Sequence, residues 1–309
     1  MLPIQITMIK SLHFMNKEIF PLDKFQELDT PFYYYDIELL KRTLDVVSKE
    51  AFDRGFCVHY ALKANANPRI LKEISARGFG ADCVSGSEIL RALENGFEAS
   101  KIVFAGVGKT DKEIQIGLDN NIFCFNVESL PEIDAINELA EKSNKTAQIA
   151  IRINPNVDAK THKYITTGLE ENKFGLNESD LPESIRVIED SKNLKLIGMH
   201  FHIGSQITDL DAFKDLCHKV EEIKGWFDSK DIHFDVINVG GGLGIDYENP
   251  DQNSIAYFED YFKLFDEHLN LQNGNTLHFE LGRSIVGQCG SLITRTTFVK
   301  KGTSKKFII

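Results

Sequence analysis

From Phe56 onward, short apolar runs alternate with longer stretches in which apolar residues return every three or four positions, the two periods that mark strands and amphipathic helices. The runs predicted as strands are FCVHYALK (56–63), GFGADCV (78–84), KIVFAG (101–106), IFCFNV (122–127), QIAIRIN (148–154), LIGMHFHI (196–203), DVINVG (235–240) and LHFEL (277–281). Between them lie SGSEILRALENG, TDKEIQIGLDN, SLPEIDAINELAEKS and DLDAFKDLCHKVEEIKGWF, opened by Ser, Thr or Asp and several closed by Gly or Asn. These residues satisfy the orphaned backbone groups at helix ends. Eight such strand and helix units over about 230 residues fit an α/β fold of the (β/α)8 TIM-type barrel. A doubly wound open sheet is the alternative pattern. The barrel makes one demand: residues that do chemistry belong where strands end, at the C-terminal face. Lys63, Asp82, Arg152, Asn154, His202, the glycines from Gly240 to Gly242, and Glu280 to Arg283 all stand at or near such ends.

Composition narrows the class. With 309 residues, 42% hydrophobic and 26% charged, the chain has the content of a soluble globular protein. Its formal charge of -11 and pI near 5.4 argue against nucleic acid and anionic membranes as partners, and an anionic substrate needs local arginines to overcome that field. Cys57, Cys83, Cys124, Cys217 and Cys289 are scattered without a C-x-x-C pair, so neither a zinc ribbon nor a disulfide framework is indicated and a reducing cytoplasm is expected. No apolar run approaches the roughly 18 residues that span a bilayer. The opening MLPIQITMIKSLHFMNKEIF lacks a signal-peptide core, and Met15 reads equally well as the initiator.

Four groups carry candidate chemistry. Lys63 in YALKANANP shares a strand face with His59 and Ala61 by the period of two. It reads either as an amine that bonds an aldehyde cofactor or as a lysine snorkelling to water. NVGGGLG, from Asn238 to Gly244, strips side chains where backbone N–H groups can converge on an anion, although a glycine-rich turn without a ligand fits too. As a dinucleotide fingerprint it is poor, lacking G-x-G-x-x-G in that register. His200 and His202 share a face and suit core hydrogen bonds or a flat ring for stacking; no nearby thiol or carboxylate completes a metal set. Glu280, followed by Gly282 and Arg283, suits a charge partner for a pyridine nitrogen beside an anion-binding arginine, or else a Glu280–Arg283 salt bridge.

Taken together, YALKANANP, GFGADCVSGSE, FAGVGKTDKEI, IRINPNVDAKTHKYITTGLEENKFG, GMHFHIGSQI, NVGGGLGIDY and FELGRSIVGQCG resemble the fold type III pyridoxal-phosphate-dependent decarboxylases, and within them the diaminopimelate decarboxylase family, from about Thr30 to Gly290. The resemblance implies an alanine-racemase-like barrel, a second β-rich domain, pyridoxal 5'-phosphate (PLP) as cofactor, a small amino acid as substrate and a homodimer with shared active sites. It implies Lys63 as the Schiff-base lysine, His202 as the ring stacked on the cofactor, and Glu280 as partner of the ring nitrogen. Asp82, Glu88 and Arg152 are implied to line the cofactor pocket. Ser205, Gly240, Gly241, Gly242, Gly282 and Arg283 are implied around the phosphate, with Arg283 also able to meet a substrate carboxylate. The segment HKYITTGLEENKFG sets the resemblance apart from alanine racemases and eukaryotic-type ornithine decarboxylases. The implied reaction is decarboxylation of meso-2,6-diaminopimelate to L-lysine and carbon dioxide, the last step of lysine biosynthesis. Decarboxylases of ornithine, arginine or carboxynorspermidine, an amino-acid racemase, and a PLP-binding barrel without turnover are the alternatives.

Two departures qualify the match. The family reads Glu-Pro-Gly-Arg where this chain has Glu280-Leu281-Gly282-Arg283, a change expected to have little chemical consequence. The chain also ends at KKFII, whereas the resemblance implies a continuation bearing a Cys-Glu-Ser motif and further substrate groups. The expected organisation is therefore residues 1–34 associated with the β domain, 35–282 as the barrel, and 283–309 as the start of a truncated β domain. On its own such a chain is expected to fold its barrel but show little or no decarboxylase activity.

Overall fold

The computed structural model describes residues 20–157, 173–271 and 274–309. In chain order, α1 (Leu22–Phe25) and β1 (Phe32–Tyr35) precede α2 (Ile37–Phe52), after which strands and helices alternate strictly. The units are β2 (Cys57–Ala61) with α3 (Pro68–Ser75), β3 (Gly80–Cys83) with α4 (Gly86–Glu94), β4 (Ile102–Phe104) with α5 (Asp111–Asp119), and β5 (Cys124–Val127) with α6 (Leu130–Lys142). They continue as β6 (Ala147–Arg152) with α7 (Leu181–Asp190), β7 (Leu194–His200) with α8 (Asp211–Asp228), β8 (Val236–Asn238) with α9 (Phe258–His268), and β9 (Thr276–Leu281) with the short α10 (Arg283–Val286). Strands β2 to β9 close into a parallel barrel, with β9 pairing back onto β2. The open-sheet alternative is thereby excluded.

Burial explains why the strands read as nearly continuous apolar runs: barrel strands are covered on both faces. β3 and β5 are buried at every position. In β9 the period of two separates two environments. Phe279 packs outward against Tyr261, Phe262 and Phe265 of α9, while His278 and Glu280 take the alternate face. Helix starts are fixed by the residues expected from pattern: Asn67 accepts from Arg69 N with Pro68 in the first turn, and Ser85 and Ser129 accept from Glu88 N and Glu132 N. Each such cap is worth about 1 kcal/mol.

The strands end sooner than the apolar runs do. β2 stops at Ala61, β7 at His200 and β8 at Asn238, so Lys63, His202 and Gly240 lie beyond the strands rather than within them. The backbone still bonds across, as from Phe201 N to Asn238 O at 2.7 Å and Val239 N to His278 O at 3.0 Å, which keeps these residues in register at the barrel mouth.

Residues Ile37–Gln288 form one compact unit. The other comprises the described residues up to Asp36 together with Cys289–Ile309. In it β1 pairs antiparallel with β10 (Gly290–Ile293), and β11 (Val299–Lys301) with β12 (Lys306–Ile308). Phe298, Val299, Phe307, Ile308 and Ile309 are exposed there.

Candidate active site

The barrel interior is polar at its mouth. Lys63 sits in a single 3-10 turn just past β2, and its amine lies 2.8 Å from Asp82 Oδ2. Asp82 is wholly buried, whereas the Lys63 side chain is 52% exposed; the pair therefore presents its amine to the cavity and its carboxylate to the wall. Burial would push the Lys63 amine down, but Asp82 and Glu280 together outweigh it and hold it above its ordinary value. Asp82 is itself pushed up, first by burial and then by Glu280, against the pull of Lys63.

Glu280 is a buried carboxylate with three side-chain partners. Asn126 Nδ2 donates to its Oε1 at 3.0 Å and Asn238 Nδ2 at 2.9 Å, while His200 Nε2 lies 3.0 Å from Oε2. Burial works against the charged form, yet His200, through charge and hydrogen bond, and Lys63 outweigh it and hold the carboxyl well below its usual range. His202 lies one period beyond His200. Its Nδ1 accepts from Gly241 N at 3.4 Å, and burial, reinforced by the charges of Arg152 and Lys63, pushes it down to about 3. The ring is neutral and carries its hydrogen on Nε2.

Glycines shape the side beyond β8. Gly240 and Gly242 adopt φ of +70° and +103°, which L side chains rarely tolerate. A Cβ on Gly240 would strike Phe201 O, one on Gly241 would strike Glu280 O, and one on Gly242 would lie 2.7 Å from Gly204 O. Only glycine lets this backbone approach both neighbouring strand ends. Gly282 packs less tightly, with its hypothetical Cβ 3.1 Å from those of Ala61 and Ala64. Arg283 donates to Tyr247 Oη at 2.5 Å and does not pair with Glu280; a buried Nε without a protein partner remains on it. Ser205 follows the turn at Gly204, whose φ is +152°.

A cavity of about 400 Å³ opens onto Lys63, Arg152, His200, His202 and Glu280. A larger one of about 630 Å³, bounded by the loops after β7 and β8, contains none of these groups; converging titratable side chains, not volume, mark the chemical site. Glu88 Oε2 accepts from Val84 N at 2.8 Å at the start of α4, and its carboxyl is raised first by burial, with Asp82 adding to that and Lys63 opposing it. Most of HKYITTGLEENKFG, residues 162–172, lies outside the described residues, as does Met15. Sequence reasoning missed Asn126, Asn238, Glu128 and Lys109. The first three had a signal by the period of two: Asn126 and Asn238 are polar residues at inward positions of apolar runs, and Glu128 continues the face of Asn126 just past its run. Lys109 had one as well, standing just after the third strand candidate, KIVFAG (101–106).

The arrangement defines a class. It offers an amine, a carboxylate held ionised, a neutral imidazole and a side-chain-free backbone cradle, and it leaves Asp82 Oδ1, His200 Nδ1 and Arg283 Nε buried without protein partners. That donor set fits a phosphorylated pyridine aldehyde. Residues 40–287 match the family model described as pyridoxal-dependent decarboxylase, pyridoxal binding domain, and the cofactor is PLP. A diaminopimelate decarboxylase of Bacteroides thetaiotaomicron is 55% identical over 294 residues, 95% of this chain and 76% of that protein. One from Helicobacter pylori is 43% identical over 291 residues, 92% of this chain and 69% of the other. The crystal structure of diaminopimelate decarboxylase from Helicobacter pylori complexed with L-lysine superposes with a TM-score of 0.87 at 40% identity, covering 94% of this chain and 72% of that one. The chain belongs to the diaminopimelate decarboxylase family.

Proposed function

We propose that the protein decarboxylates meso-2,6-diaminopimelate to L-lysine and carbon dioxide. The observation that carries the reading is the convergence of Lys63, His202 and Glu280 on one cavity in a chain 55% identical to a diaminopimelate decarboxylase. When bound, PLP supplies an electron sink for the pair left behind as the carboxylate departs.

The residues divide the remaining work. Lys63 holds the cofactor through its aldehyde, and Asp82, with Glu88 in the surrounding wall, keeps the amine in place between turnovers. Glu280 offers a fixed negative charge to the ring nitrogen; Asn126, Asn238 and His200 leave it neither free to rotate nor inclined to take a proton. His202, neutral and flat, stacks on the ring, and Arg152 borders it. Ser205, Gly240, Gly241, Gly242, Gly282 and Arg283 surround the phosphate, and Arg283 also meets a substrate carboxylate. Orientation of the scissile bond and exclusion of water are the protein's share of catalysis. The reading carries with it a homodimer with shared active sites and a cytoplasmic setting, which five free cysteines suit. Among the described residues no helix is long and apolar enough to cross a membrane.

Release of carbon dioxide from meso-diaminopimelate, measured beside ornithine and arginine with added PLP, tests the reading. Preferential turnover of diaminopimelate supports it. Preference for either of the other two, or cofactor binding with turnover of none by the protein carrying a complete β domain, overturns it.

A further inference from the structure

Glu128 follows β5 immediately and continues its inward face from Cys124 through Asn126. Its side chain is only 1% exposed, and three donors meet on it, from the connection after β4, the end of β6 and the connection after β6. Gly106 N, after β4, lies 2.7 Å from Oε1. Arg152 Nη1, at the end of β6, lies 2.9 Å from the same oxygen. Gly175 N lies 3.2 Å from Oε2. The main chain of Glu128 is pinned as well: its N–H donates to Glu132 Oε2 at 3.0 Å, and Glu132 Oε1 receives the buried Lys109 amine at 2.6 Å. Lys109 also donates to Gly106 O at 2.8 Å, so the Gly106 residue is gripped at both its N–H and its carbonyl.

Arg152 is thereby held in two directions. Glu128 fixes a guanidinium nitrogen, and the Phe174 ring lies 4.7 Å from the guanidinium carbon, a cation–π contact. Arg152 borders the cavity that contains Lys63 and His202. A carboxylate alone among side chains of this size offers two oxygens that accept three bonds without donating. Glutamine would turn one of them into a donor facing a donor.

We propose that Glu128 is a positioning residue for this decarboxylase, whose one carboxylate sets the Arg152 guanidinium against the cofactor and ties the chain at Gly106 and Gly175 around it. This rests on the reading of the cavity as the PLP site. Arg152 contributes to holding His202 down and opposes protonation of Lys63, so a displaced guanidinium changes the field that both feel.

The test is a double-mutant cycle read by PLP affinity and by the pH midpoint of the bound cofactor's absorption. Glu128→Gln is expected to weaken PLP binding about ten- to a hundred-fold, the worth of losing one or two hydrogen bonds to charged groups, and to move the midpoint. In an Arg152→Gln background the same change is expected to cost less than about three-fold, because the two act as one unit. Should Glu128→Gln fail to fold, Glu128→Asp, which keeps the charge one methylene shorter, carries the comparison, with a smaller loss that again vanishes in the Arg152→Gln background. Equal losses in both backgrounds, or wild-type affinity and midpoint in the Glu128 variants, overturn the proposal. Failure of the unmodified protein to bind PLP overturns the reading of the cavity itself, and the proposal with it.

Discussion

The two ends of the barrel interior are both buried and both polar, yet they are built oppositely. At the floor, His59 Nδ1 lies 3.0 Å from Lys101 O, His59 Nε2 lies 2.8 Å from His278 Nδ1, and His278 Nε2 lies 3.0 Å from Thr276 Oγ1. A carbonyl only accepts, so His59 donates to it and His278 donates to His59, while the one Thr276 hydroxyl hydrogen is shared between His278 Nε2 and Asp235 O, 3.1 Å away. Every ring nitrogen is used within the protein and both rings are neutral. Phe123 stacks on the pair and closes it off. At the mouth, Asp82 Oδ1 and His200 Nδ1 are left without protein partners, and charges of both signs crowd one cavity. Buried polarity by itself marks nothing; polarity that the protein leaves incomplete marks a place for a ligand.

The comparison breaks if changes at the two ends have the same consequences. Glu280→Gln carries the largest expected effect. It preserves shape and most hydrogen bonding but removes the charge, so PLP binding is expected to persist while turnover falls by orders of magnitude, as when stabilisation is lost from the transition state alone. Steady-state kinetics of the protein carrying a complete β domain, beside a cofactor titration, checks this, and unchanged turnover rejects the role. At the floor, His278→Ala leaves His59 Nε2 without its partner, while His59 Nδ1 keeps Lys101 O and Thr276 keeps Asp235 O. The expected cost is about 1–3 kcal/mol of stability in denaturant unfolding, the range for an orphaned buried polar group, with PLP affinity unchanged. Loss of affinity there would erase the distinction between the ends.

A smaller effect sharpens the picture. Burial pushes His278 down to about 3 from an ordinary 6.5, and His59 is pushed down by burial as well. The folded state thus keeps these rings neutral where the unfolded chain binds protons. Their contribution is whole above pH 6.5 and is lost as pH falls from there towards 3. For His278 the slope is about 1.4 kcal/mol per pH unit. Denaturant midpoints collected across that window should show a shallower decline in His278→Gln than in the unmodified protein, and parallel curves would remove His278 from the account.

Much of this was legible in the sequence, and for identifiable reasons. Periodicity gave the barrel because strands covered on both faces must be apolar and helices covered on one must be amphipathic. It placed strand ends too late at Lys63, His202 and Gly240, since the apolar character continues past the last ladder bonds. Lys63, His202 and Glu280 stood out because each is a costly residue at a strand end. Asn126 and Asn238 did not, and His200 stood out without its pairing to Glu280: the three, Asn126, His200 and Asn238, are 154, 80 and 42 residues away from that carboxylate, and only closure of the barrel brings them to it. The pairing of Arg283 with Tyr247, rather than with Glu280, was hidden for the same reason. A spacing of three suggests contact on a helix, but here the chain turns from β9 into α10 between the two residues.

Two lysines border the same cavity, and they allow the most direct test of the central claim. Lys109 is buried with its three hydrogens given to Gly106 O, Asn126 O and Glu132 Oε1 at 2.8, 2.8 and 2.6 Å, so it has no hydrogen or lone pair to spare. Lys63 has one carboxylate partner and an open approach. Reduction of the PLP-loaded protein with borohydride, followed by peptide mapping, fixes the cofactor to whichever amine holds it. The account predicts a single modified peptide, the one containing YALKANANP, with the label on Lys63. A label on Lys109, or on any other lysine, would contradict it.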